Sequence, residues 1–126
     1  SITAEPLTPT LGWSFIIGGI GGAIVVYGVP LLDKFKIDDV VGAIPVHLFA
    51  GIWGTLAVVL TNSDASLGMQ IYSIVVVGLF VVITSGILWL ILKAAMGIRV
   101  SEEDEVKGLD MSELGMDAYP DFSKSG

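Results

Sequence analysis

Two stretches of this chain run without a charged residue or a histidine for longer than a bilayer is thick, and they limit the fold more than any other feature. They are residues 6–32 and residues 67–92. As helices, 11–32 would extend roughly 33 Å and 67–92 roughly 39 Å, against a hydrocarbon core of about 30 Å. The second stretch is rich in β-branched residues at 71–77 and 81–84, which in a soluble protein would suggest a strand. Its length decides for helix, and its excess over a perpendicular crossing implies tilt or a partly exposed end. A third apolar run, 40–60, lies between them, set off by the short breaks DKFKIDD (33–39) and TNSDAS (61–66). Connections this short make successive helices antiparallel. Hydrophobic residues make up 53% of the chain, charged residues 15%, and mean hydropathy is +0.83, so there is too little polar surface to clothe a soluble core. The expected architecture is all-α: a polytopic membrane helix bundle with three transmembrane helices at 11–32, 40–60 and 67–92. These lie in a transmembrane region, 1–98, followed by a tail, 99–126.

The basic residues orient that bundle. Lys34 and Lys36 lie in the first break, Lys93 and Arg99 follow the third span, and Lys107 and Lys124 lie in the tail, while the amino-terminal loop and 61–66 have none. All six fall on one side of a three-span chain, and the positive-inside rule makes that side the cytoplasm. The expected setting is a multi-pass protein of the cell (inner) membrane with its carboxy terminus inside. The opening SITAEPLTPT has neither a basic segment nor a short apolar core, so it is not a signal peptide. It lacks an initiating Met, and the expectation is a piece cut from something longer.

Residues 38–54, DDVVGAIPVHLFAGIWG, carry the one histidine of the chain. His47 lies roughly 12 Å from the aspartates at the span's edge, close to the midplane. An ionisable group at that depth faces a protein interior or a polar cavity. It belongs either to a path for a polar solute or, as a neutral imidazole bonded to a neighbouring helix, to the scaffold. Ala43, Ala50 and Gly51 stand four and three positions from it and on an α-helix would share its face, leaving that face small and apolar apart from the ring. Pro45 removes a helix hydrogen bond two residues earlier and predicts a locally opened backbone. Trp53 reads as packing. Gly18 and Gly22 have the spacing that lets helices approach closely, and Ser73, Thr84 and Ser85 suggest interhelical hydrogen bonds.

No enzyme emerges from these residues. The chain has no cysteine and no second histidine, so no metal site forms with His47, and it has neither a nucleophile with a base nor a phosphate-binding glycine loop. No cofactor is implied, and six scattered basic residues make no nucleic-acid footprint. Asp38 and Asp39 suit an acidic helix start facing the dipole. The tail is acidic from Glu102 to Glu105, so anionic lipid would repel it. Ser101 with Asp104 resembles a capping box. Composition alone favours a solvated tail, although Val106, Leu109, Met111 and Leu114 would let it dock on the protein's inner face.

IDDVVGAIPVHLFAGIWGTLAV (37–58) and IRVSEEDEVKGLDMSELGMDAYPDF (98–122) resemble the ammonium transporter (Amt/Rh) family, in particular the carboxy-terminal part of a microbial Amt protein: its last three membrane spans and cytoplasmic tail. Val40, Pro45 and Leu114 depart from the family pattern. The resemblance implies roughly eleven spans built on an inverted repeat and a homotrimer with one pore per protomer. It implies that His47 is one of two hydrogen-bonded pore histidines. It also implies that Arg99 and Gly108-Leu109-Asp110 belong to a regulatory tail that in many bacteria responds to a PII-type signal protein. The function implied is ammonium/ammonia transmembrane transport through a narrow apolar pore lined by a neutral histidine. An ammonium sensor acting through its cytoplasmic tail is the alternative.

Overall fold

In the computed structural model, residues 1–117 are described, and among them every regular element is helical. The last residues of the DAYPDF motif lie outside this range, as does Lys124. The chain divides into two units, Ser1–Val82 and the part from Ile83 onward.

Helix α1, Leu11–Lys34, starts where the Thr10 side chain accepts the Trp13 N–H at 3.3 Å, a standard amino-terminal cap. It stops in a Schellman motif: Lys36 turns left-handed at φ +57°, its N–H donates to the Asp33 carbonyl, and the Ile37 N–H donates to the Leu32 carbonyl. The helix buries Ile17, Gly21, Gly28 and Leu32, which recur at helical spacing and form one face. Gly28 is the glycine at which the second helical stretch comes close to α1, while Gly21 is covered by Ser1. A Cβ on Gly22 would meet nothing within 4 Å.

The expected span at 40–60 begins one turn late. Residues 39–42 form a turn, with Gly42 at φ +69°, and after Ala43 the helical backbone runs from Ile44 to Leu60 in three pieces. These are a π turn, Ile44–Phe49, then helix α2, Ala50–Ala57, then a 3₁₀ turn, Val58–Leu60. The whole is about 25 Å long, shorter than the hydrocarbon core. Two helices, α1 and α3 (Leu67–Met96), are long and apolar enough to cross a membrane.

Small residues let the second helical stretch lie close to α1, with Ala50 and Ala57 5% and 2% exposed, while Gly54 is buried against the backbone of Ser1. Trp53 behaves as packing, with its indole N–H donating to the Ile17 carbonyl of α1 at 3.0 Å. The amino-terminal loop is tied to the loop after the 3₁₀ turn by Asn62, whose amide donates to Glu5 at 2.9 Å. That bond, reinforced by the Leu7 N–H, holds the Glu5 carboxyl below its ordinary value. A depressed carboxylate stabilises above its ordinary titration range, so the tie is lost as pH falls through the lowered value.

The second unit carries the tail. Helix α4, Glu102–Lys107, is capped by Ser101, whose hydroxyl accepts the Asp104 N–H at 3.1 Å. The reciprocal half of a capping box is altered: the Asp104 carboxylate accepts from the Ser101 hydroxyl at 2.6 Å instead of reaching the cap's own N–H, since Asp is one methylene shorter than Glu. A π turn, Asp110–Leu114, follows and ends at Gly115, φ +67°. The stretch for which composition favoured a solvated tail is thus helical over most of 102–114.

Candidate solute pathway

The site is built on the irregular start of the second helical stretch. Pro45 has no N–H to give, and the turn around it closes wide: the Ala50 N–H donates to the Pro45 carbonyl, five residues back, as well as to that of His47. The opened backbone expected beside the histidine takes this form. Pro45 itself is less than 2% exposed. It fits there because α1 offers Gly28, where a Cβ would lie 2.9 Å from the Pro45 Cβ and 3.2 Å from the Phe49 ring.

Two residues on, His47 is exposed on the opposite side and makes no side-chain hydrogen bond to the described residues. It opens onto a groove of about 490 Å³ between the second helical stretch and the first part of α3. Leu48, Gly51, Ile52 and Thr55 form one wall, and the α3 wall includes Ser73, Ile74, Val77 and Gly78. Of the lining residues, His47 alone carries an imidazole or any other ionisable group. The Thr55 hydroxyl donates to the Gly51 carbonyl at 2.9 Å, and that of Ser73 to the Met69 carbonyl. Ser73 thus bonds within its own helix rather than across to another, and the groove is apolar around one imidazole.

Gly51 shares the groove with His47, whereas Ala43 and Ala50 do not line it, and Ala50 is buried against the rest of the unit. The common face expected for all four assumed an α-helical period, and the wide turn breaks that period between Ala43 and Ala50. The imidazole was expected to face a protein interior or a polar cavity. Within this chain it looks into an open groove walled by the second helical stretch and α3.

In the tail, Arg99 pairs with Glu105 at 2.8 Å, with both side chains more than half exposed, a contact worth about 0–1 kcal/mol. Gly108 ends α4 at φ +94°, and a Cβ there would lie 2.7 Å from an Asp110 carboxylate oxygen. Leu109 is exposed. Gly108→Val is expected to cost about 1–3 kcal/mol locally through left-handed strain and that contact. Amide exchange should then accelerate across 102–114 while α1 keeps its protection. Unchanged exchange in the tail would mean that Gly108 is not the joint.

Among the described residues no three His, Asp or Glu side chains group as metal ligands. These features describe an all-α membrane protein with an apolar, histidine-bearing groove, the class to which solute pathways belong. The Ammonium Transporter Family profile matches residues 1–119. Ammonium transporter Amt2 of Archaeoglobus fulgidus is 39% identical, with 86% of this chain aligned to 28% of that protein. Ammonium transporter Amt1 of Haloferax mediterranei is 35% identical over 90% of this chain and 23% of its own length. The ammonium transporter of Bacillus subtilis is 36% identical over 91% and 34%. The chain belongs to the Ammonium Transporter Family, a family of transporters and not of enzymes. It spans about a quarter to a third of the length of these relatives.

Proposed function

We propose that this chain is the carboxy-terminal part of a transporter that passes ammonium or ammonia across the cell membrane, with His47 on the path. The observation that carries this is the imidazole standing alone on an apolar groove in a member of this family. An ammonium ion gives up a proton on entry, and the apolar walls exclude hydrated ions. A neutral imidazole offers one donor and one acceptor to the passing molecule or to a shuttled proton. A second pore histidine and the remaining walls come from sequence beyond these 126 residues. The protein works as a homotrimer with one pore per protomer, its basic residues and tail in the cytoplasm. Arg99 and Gly108-Leu109-Asp110 make that tail a regulatory segment suited to a PII-type partner.

The test is expression of the full-length protein in cells stripped of their own ammonium uptake. Growth on limiting ammonium and uptake of labelled methylammonium should both return. Normal membrane levels with no flux would favour the sensor instead.

A further inference from the structure

A helix that starts at the edge of an apolar slab must satisfy its first N–H groups from its own chain, because lipid offers no partners. Before His47 this is done around one carboxylate. Asp39 Oδ1 accepts the Ala43 N–H at 2.8 Å and Oδ2 accepts the Ile44 N–H at 2.7 Å. Pro45 has no N–H to satisfy, and the Val46 N–H donates to the Gly42 carbonyl at 3.1 Å. The turn that brings Asp39 beneath these donors is closed by the Gly42 N–H on the Asp39 carbonyl at 3.0 Å. Asp38 is exposed, and neither N–H goes to it.

These bonds hold the residue before the wide turn and the first residue of it, and the seat of Pro45 at Gly28 holds the second. His47 comes two residues later, so its direction follows from theirs. A π turn advances by roughly 20° less per residue than an α turn, and reversion to α closure would swing His47 by tens of degrees relative to the groove. We propose that Asp39 is a positioning residue for His47: by clamping the Ala43 and Ile44 amides it sets the wide turn and aims the imidazole along the solute path. This rests on His47 belonging to that path, and it assigns Asp39 a role as hydrogen-bond acceptor rather than as a charge that attracts cations.

Acceptor and charge are separable in the full-length protein. Asp39→Asn is uncharged and keeps one acceptor oxygen, but it turns an amide NH2 toward the second N–H and so loses half of the clamp; Asp39→Glu keeps the charge and both acceptors and displaces them by a methylene. Ammonium and potassium currents per trimer, with trimer quantified, should show Asp39→Asn partly impaired, through the one N–H it leaves without an acceptor, and Asp39→Glu impaired despite its charge. Asp39→Ala should be worst, down by about tenfold or more or leaking potassium, and Asp38→Asn should be unchanged. Impaired Asp39→Asn beside intact Asp39→Glu would overturn the proposal in favour of charge. Fewer trimers, each with wild-type flux and selectivity, would overturn it in favour of a scaffold role only. His47→Ala belongs in the same series. If it is silent, the pathway assignment has failed; if it is impaired while every Asp39 variant is normal, only the role of Asp39 has failed.

Discussion

Gly28→Leu is expected to be among the most damaging single substitutions in the first unit. The residue lies on the buried face of α1, and its missing side chain is the space that Pro45 and Phe49 occupy. A leucine there needs room for several atoms where the first already meets Pro45 Cβ at 2.9 Å and Cγ at 3.3 Å. A pyrrolidine ring has no rotamer to retreat into. Overpacking costs about 1–3 kcal/mol where neighbours adjust, and a rigid neighbour puts this case at the upper end. Pro45 would be pushed from its seat and the wide turn with it, so the stability of purified protein and the ammonium flux of what remains should fall together. Heating curves of detergent-extracted protein, with its assembly followed by native gel, provide the measurement. A Gly28→Leu protein with wild-type stability would show that Pro45 is not seated there.

Much of this was legible in the chain, and the limits of that legibility are physical. The two long helices follow from apolar length: α1 begins at the expected Leu11, and α3 begins at Leu67 and continues to Met96. The second stretch was legible as apolar helix but not in where it starts. Hydrophobicity runs on through Val40 and Val41, whereas the start is set by the Asp39 clamp and the positive φ of Gly42. Pro45 announced a missing hydrogen bond. How the backbone closes around it depends on Gly28 in another helix, and no local rule carries that information. Assuming an α period through this turn put Ala50 beside His47, whereas the structure buries Ala50 and leaves Gly51 with the imidazole on the groove. The cap at Ser101 was visible from spacing, because a cap is a local bond.

His47 is where the account is most exposed to test. The side chain is bonded to none of the described residues and is exposed in this unit, so its removal should cost the fold little, about 0.5 kcal/mol or less in this unit. Its effect on transport should be far larger, since it is the one titratable side chain on the groove. Losing a hydrogen bond made only to the passing molecule or proton, at about 1.4 kcal/mol, slows passage about tenfold. The direct measurement is the current evoked by ammonium and by potassium on solid-supported membranes carrying equal, quantified amounts of full-length wild-type and His47→Ala protein. The expected result is normal assembly with the ammonium current reduced about tenfold or more, or with a potassium current the wild type lacks. Wild-type ammonium current without a potassium leak in His47→Ala would contradict the placing of His47 on the path.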